Sequence, residues 1–151
     1  MILMMSLVAQ APAADLSTAV YDALSQRHAP SCTAIAELGD PIDVRLGLVH
    51  VATKTTAPPW APLNAAKCLV PMLDESSVME VVIGWFDQPS TSGLALVVVQ
   101  NLDDTTEENA TKIATFAAAH AAKDSRFGIY AKRAMIGSKH VKVRTTSEQM
   151  P

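Results

Sequence analysis

The sequence predicts an all-α fold, and three features support this class. Ala and Leu are abundant, whereas only 6 of the 151 residues are glycine and 5% are aromatic, which favours helices over a β-sandwich. The 9 prolines cluster between apolar-periodic segments, where they end helices rather than interrupt them. Apolar residues recur at helical spacing in segments of about a dozen residues. A chain of 151 residues is long enough for one domain with its own core.

The first predicted helix begins at Asp15, because this residue type accepts hydrogen bonds from the free N–H groups of a first turn. Leu16, Val20 and Leu24 then follow at four-residue spacing and form one apolar face. The helix ends before Pro30, since a residue that precedes proline is disfavoured in the α region.

A short helix is predicted over Cys32–Leu38, and Gly39 stands where a left-handed helix cap is usual. The next start signal is stronger, because Asp40 is a capping residue and Pro41 suits the first helical position. This helix is expected to run to about Thr53.

Trp60 follows a double proline and opens the next predicted helix, which extends to Val70. Pro71 falls where that helix would otherwise continue, so it predicts an early end or a kink near Val70. Five further segments of similar length follow, separated by polar corners: Val78–Phe86, Leu94–Leu102, Glu107–Ala122, Phe127–Ile136 and His140–Arg144.

Two of these segments carry β-branched runs, Val78–Ile83 and Leu94–Val99, that are also compatible with buried strands. The flanking caps and the segment lengths favour helices. The segment His140–Arg144 is predicted to be helical or extended. A Thr in the run Asp103–Glu108 is expected to cap the helix that follows, with the acid three residues on returning the hydrogen bond.

The N-terminus resembles an export signal, because Met1–Val8 is nearly all apolar and Ala11-Pro12-Ala13 has the small-x-small pattern of a cleavage site. We therefore predict a signal peptide over residues 1–14, one helical domain over 15–144 and a disordered tail over 145–151. No apolar run reaches the roughly 20 residues of a membrane span. The predicted location is periplasmic or secreted, with the cytoplasm as the alternative.

Similar corners recur along the chain at spacings of 35, 29 and 34 residues, in each case an apolar helix end followed by Gly or Asp. The stretch ELGDPIDVRLGLVHVA, residues Glu37–Ala52, resembles the HEAT repeat, in which an Asp-Pro-like corner precedes a helix bearing a Val-Arg pair, here Val44-Arg45. The stretch SRFGIYAKRAMIGS resembles the first helix of such a unit. The resemblance implies a short right-handed α-solenoid of about three to four helix pairs. A non-repeating helical bundle is the alternative.

The resemblance also implies that Cys32 and Cys68 can meet, because they lie 36 residues apart and equivalent helices of a solenoid are neighbours. In an oxidising compartment the two thiols are expected to form a disulfide. In a reducing cytosol they would be two small buried residues.

Charge is distributed unevenly along the chain. Residues 1–122 hold 5 Lys and Arg against 13 Asp and Glu, while residues 123–151 hold 7 against 2, so only the C-terminal segment is basic. The net charge of −3 gives no reason to expect nucleic acid as a partner. Solenoids bind proteins along a concave surface, and the candidate contact residues for such a partner are Trp60, Lys132, Arg133, Lys139, Lys142 and Arg144. For Trp60 the alternative is core packing at a repeat junction. For the cations the alternatives are lipid headgroups as the partner or a solvated cap of the terminal repeat.

Catalytic signals are sparse. The sequence has no CxxC, HxxxH, GxSxG or SxxK motif and predicts neither a metal nor a cofactor. His28 and His140 are expected to be exposed, with His50 and His120 at the edges of helix faces. The predicted function is a non-catalytic protein-interaction module, and the alternative is a small-ligand-binding helical enzyme or accessory subunit. A closed bundle in which two or more of four residues converge on a cavity would favour the alternative: His50, His120, Asp87 and Glu80.

Overall fold

The computed structural model describes residues 13–151, and over that range the chain forms nine α-helices and no strand. The helices are α1 (Ala13–Leu24), α2 (Cys32–Ala36), α3 (Pro41–Lys54), α4 (Trp60–Leu69), α5 (Ser76–Gly84), α6 (Ser92–Gln100), α7 (Glu107–Ala121), α8 (Ser125–Ile136) and α9 (Val141–Glu148). The all-α prediction is confirmed, and both β-branched runs lie in helices, α5 and α6. The predicted signal segment lies outside the described residues apart from Ala13 and Ala14, which begin α1.

Local capping explains several helix starts. Asp40 accepts a hydrogen bond from the Ile42 N–H at 2.9 Å, and Pro41 occupies the first turn of α3 as predicted. Asp124 caps α8 in the same way, with its carboxylate 3.0 Å from the Phe127 nitrogen. At Pro71 the chain leaves α4 and forms a 3₁₀ turn over Val70–Met72, which is the early end that the proline predicts.

Two predicted caps differ from the structure. No described glycine has a positive φ, so Gly39 is not a left-handed cap. A Cβ at Gly39 would lie 2.8 Å from Leu16 Cδ2, so a larger residue there would require the Leu16 side chain of α1 to shift. The cap of α7 is Thr106, and the residue three positions on is Asn109, whose amide donates to Asp74 at 2.7 Å instead of returning the capping bond.

The helices pack in an order that follows the chain. α4 packs against α1, α3 and α6, and α8 packs against α6, α7 and α9. The helices that contact one another in succession, and so form one row, are α1, α4, α6 and α8. On one side α3 packs on α1 and α4. Near the C-terminus α7 and α9 pack on each other and on α8. One continuous set of buried apolar residues runs from Leu16 to Met150 between these helices.

Several long-range contacts share a sequence separation of 35 or 36 residues. The Trp60 indole donates to the Ser25 carbonyl across 35 residues, and Ser138 donates to Asp103 across 35 residues. The Asn109–Asp74 hydrogen bond also spans 35 residues, and the cysteine pair spans 36. A separation of 35 or 36 residues thus recurs in these four contacts between the end of α1 and the corner before α9, while other long-range hydrogen bonds span 18 to 40 residues.

The C-terminal end is ordered and packed, in place of the disordered tail expected over residues 145–151. Val141–Glu148 form α9, which resolves the choice between helix and extended chain for His140–Arg144. Ser147 is 1% exposed and Met150 is 5% exposed, and Lys132 Nζ donates to the Met150 carbonyl at 3.0 Å. These buried contacts hold the final residues against α8.

Candidate functional site

A groove of about 620 Å³ is bounded by the end of α1, by α2 and by α4. Trp60 and Pro71 supply apolar surface, and Cys32 and Cys68 lie beside them. The groove also reaches Asp104 in the corner before α7. We call it the Trp60 groove.

Trp60 is held in place and still presents surface to a partner. Its Nε1–H donates to the Ser25 carbonyl at 3.1 Å, and Asn64, one turn further along α4, donates to the Leu24 carbonyl at 3.4 Å. These bonds satisfy the otherwise open C-terminal carbonyls of α1 and fix the ring relative to α1. The side chain remains 42% exposed. An exposed, positioned indole is typical of residues that dominate binding energy in protein interfaces.

The charges of the Trp60 groove are mainly positive. Arg27 and Lys67 both line it, both are exposed, and neither forms an ion pair with the described residues. Asp104 is the one acid on the described lining. The groove therefore combines an aromatic wall with two cations that are free to meet carboxylates.

The cysteine pair lines the Trp60 groove. The Sγ atoms of Cys32 and Cys68 are at disulfide distance, and their Cα atoms are 5.1 Å apart, within the range that the bond requires. The predicted pair is confirmed by this distance. It ties the first residue of α2 to α4, so that the short helix is held next to Trp60.

The five cations predicted for partner binding lie outside the Trp60 groove and divide into two groups. Lys132 bonds to the Met150 carbonyl, and the Arg144 guanidinium donates to the Ser138 carbonyl at 2.6 Å, so both are used within the fold. Arg133, Lys139 and Lys142 have exposed side chains and no ion pair within the described range. Only these three are available to a partner.

His120 forms the closest approach to a catalytic arrangement. Its Nε2 is 2.9 Å from Ser92 Oγ and 3.9 Å from Asp124 Oδ2, and the ring packs edgewise on Phe86 and Phe127. In a Ser-His-Asp triad the serine and the acid bond to opposite ring nitrogens. Here both approach Nε2, and the other Asp124 oxygen caps α8, so this cluster lacks the geometry of a triad.

A cavity of about 390 Å³ adjoins His120 and includes Asp87, Lys123 and Asp124. Two of the four residues named for the enzyme alternative therefore share a cavity, whereas His50 is exposed on α3, away from it, and Glu80 does not line it. Across residues 13–151 no group of three or more His, Cys, Asp or Glu is placed to hold a metal ion.

His140 was expected to be exposed, but the structure buries it at 8% exposure. Its Nε2 lies 3.1 Å from the Leu102 carbonyl and 3.0 Å from the Thr105 carbonyl. Since both partners are acceptors, Nε2 carries a proton that the two carbonyls share. The ring thus satisfies backbone groups in the corner between α6 and α7, which is a structural role that the local sequence did not indicate.

Asp103 belongs to the same joint. Burial raises the pKa of Asp103, but hydrogen bonds from Ser138 Oγ at 2.7 Å and the Lys139 N–H at 2.9 Å, with the nearby charges of His140 and Lys139, lower it below 3.8 overall. The carboxylate therefore stays ionised and fastens the start of α9 to the end of α6. The sequence signal that could have predicted the Asp103–Ser138 contact is the recurrence of polar residues 35 positions apart.

Within the described part of the chain, no helix is both long and apolar enough to cross a membrane. Comparisons with protein-family models, with curated proteins and with solved structures give no match to this chain.

Proposed function

We propose that this protein is a non-catalytic interaction module that binds an acidic segment of a partner protein in the Trp60 groove. The observation that carries the proposal is the combination of a positioned, 42% exposed indole with two unpaired cations in one depression of about 620 Å³. A partner segment with a carboxylate near an apolar side chain matches both features.

The architecture that we propose for the module is a short right-handed α-solenoid of about three to four HEAT-like helix pairs. Two observations support it: the succession of α1, α4, α6 and α8 in one row, and the links at 35 or 36 residues. A non-repeating bundle gives no reason for a constant separation. In a solenoid, equivalent corners of successive units are neighbours, and the separation equals one unit.

The proposed compartment is oxidising, either periplasmic or secreted. The cysteine pair supports this proposal, because disulfides persist in such compartments and are rare in a reducing cytosol.

Site-specific photo-cross-linking tests the groove. A cross-linking amino acid is placed at Thr33, an exposed residue on the groove wall, and, as a matched control, at Thr115, an exposed residue of α7. The protein is then incubated with extract from its native source. We expect adducts from position 33 only, and mass spectrometry of the adduct should identify a segment that contains Asp or Glu beside an apolar residue.

A synthetic peptide of that segment then provides the quantitative test. The double variant Arg27→Glu/Lys67→Glu should bind it at least about tenfold more weakly than wild type, since two attractive charge contacts become repulsive. Lys112→Glu, on the exposed surface of α7, is the charge-matched control and should bind as wild type does. Equal binding by all three proteins, or adducts from both positions, would overturn the proposal.

A second candidate function, a small-ligand-binding enzyme, is favoured by one observation, the contact of Ser92 with His120 beside a cavity. A fluorophosphonate probe tests it, because it reacts with an activated serine. We expect no labelling. Labelling of wild type that is lost in Ser92→Ala would support the enzyme and contradict a non-catalytic module.

A further inference from the structure

One exposed apolar stripe lies at the start of α3. Ile42 and Leu46 are one helical turn apart and are 56% and 57% exposed, and Leu38, just before the helix, is 43% exposed. Glu37 and Asp43 flank these side chains and form no ion pair within residues 13–151, and residues 33–44 contain no Lys or Arg. We call these five residues the acidic stripe.

A second exposed apolar stripe lies near the other end of the chain, on α8 and the start of α9. Ile129 and Ile136 are 61% and 56% exposed on the same face of α8, and Val141 is 58% exposed. Arg133 stands between the two isoleucines at helical spacing, and Lys142 follows Val141. We call these five residues the basic stripe. Neither cation forms an ion pair within the described part of the chain.

The two stripes belong to helices that have no packing neighbour in common. α3 packs against α1, α2 and α4, while α8 packs against α6, α7 and α9. Docking of one stripe on the other therefore requires two molecules. Arg45, the cation next to the acidic stripe on α3, is paired with Glu75 at 3.0 Å. The charges beside each stripe that form no ion pair within the described residues are therefore of a single sign, and the two signs are opposite.

Charge also determines which stripes can pair. A symmetric dimer through either stripe alone would place like charges opposite each other, which opposes association. Pairing of an acidic stripe with a basic stripe places Glu37 and Asp43 opposite Arg133 and Lys142 and covers six apolar side chains. Head-to-tail pairing is the arrangement in which both the apolar and the charged groups are complementary.

We propose that the acidic stripe of one copy docks on the basic stripe of a second copy, so that the protein associates head-to-tail. Each copy then keeps one unused stripe, and association continues beyond two chains as concentration rises. The stripes are small compared with standard interfaces, so we expect a dissociation constant on the order of 100 µM that weakens with added salt.

Sedimentation equilibrium with two complementary variants tests the proposal. The first, Ile42→Ser/Leu46→Ser, disables the acidic stripe, and the second, Ile129→Ser/Ile136→Ser, disables the basic stripe. All four positions are exposed, so helix content measured by circular dichroism should be unchanged. Should a double variant fold poorly, Glu37→Gln/Asp43→Asn and Arg133→Gln/Lys142→Gln disable the same stripes by removal of their charges.

The expected result is specific to head-to-tail docking. Wild type should exceed the mass of two chains near millimolar concentration at low salt, each variant alone should remain a monomer, and an equimolar mixture should form dimers and stop there. The mixture restores one intact pair of stripes and offers no further site. A monomeric wild type, a variant that associates by itself, or a mixture that stays monomeric would each overturn the proposal. Trp60→Ala should associate as wild type does, which separates this surface from the Trp60 groove.

Discussion

Removal of the cysteine pair is the perturbation whose effect is best defined by the structure. Cys32 and Cys68 are separated by 36 residues, and closing a loop of that length in the unfolded chain corresponds to about 4 kcal/mol of stability by the chain-entropy relation. Cys68 is 4% exposed, so its replacement by alanine removes a packed sulfur at a further cost of about 1 kcal/mol. The variant Cys32→Ala/Cys68→Ala should therefore lose about 5 kcal/mol.

Equilibrium urea unfolding, followed by circular dichroism at neutral pH, measures this loss. Three samples separate the two contributions: oxidised wild type, wild type in excess reductant, and the double variant. Reduction removes only the cross-link and should lower the free energy of unfolding by about 4 kcal/mol, and the variant should fall by about 1 kcal/mol more. For a chain of this size the reduced protein should melt about 8–16 °C lower.

Two results would refute this reasoning. Thiol labelling of denatured, unreduced protein from an oxidising compartment that finds two free thiols would remove the bond and much of the support for export. A change below about 1 kcal/mol on reduction would mean that the loop is already restricted in the unfolded state, contrary to the entropic account.

Three further outcomes follow from individual contacts. Gly128→Ala should destabilise the protein by about 1 kcal/mol, because the new Cβ would lie 3.1 Å from the Ala121 methyl group of α7. Gly84→Ala has open space around it and should stabilise the protein by about 0.5 kcal/mol. Thermal unfolding of both variants compares the two effects. Asp103→Asn should cost about 1 kcal/mol at neutral pH. This cost should diminish as pH falls below 3.8 and disappear once pH passes through the lowered native pKa of Asp103, because the carboxylate stabilises the fold only while it is ionised. Urea unfolding at a series of pH values from neutral down to strongly acidic measures this decline. Deletion of residues 145–151 should cost about 3 kcal/mol in urea unfolding, because Met150 is buried and its carbonyl binds Lys132, while a disordered tail would cost nothing.

The helices were predictable because their signals are local. Asp40 and Pro41 specify a helix start through atoms within two residues of each other, and the missing N–H of Pro71 ends α4 without help from the rest of the fold. The β-branched runs in α5 and α6 were the hardest cases of this kind. There the polar corners on both sides outweighed the strand propensity of the valines.

The errors share a different cause, since each involves a contact with a distant part of the chain. Gly39 was interpreted from its position after a helix, but the side chain of Leu16 sets its environment. His140 follows the polar residues Ser138 and Lys139, and its partners are the carbonyls of Leu102 and Thr105, which are distant in sequence. The final residues lack a strong apolar pattern, so only the packing of Met150 shows that they belong to the fold.

The cysteine pair shows how far sequence reasoning can extend to tertiary contacts. Its prediction depended on two assumptions, that residues one unit apart are neighbours and that the compartment is oxidising. The same assumption, applied to polar residues, pairs Ser25 with Trp60 and Asp103 with Ser138, both of which the structure bonds at a separation of 35. The 35-residue spacing alone is therefore enough to predict these two contacts. It does not identify the Trp60 groove, because Arg27 and Lys67 are 40 residues apart and belong to no repeated pattern; their convergence depends on where α1 ends relative to α4. The residues of the proposed binding groove thus depart from the 35-residue separation, so this separation alone would not have located them.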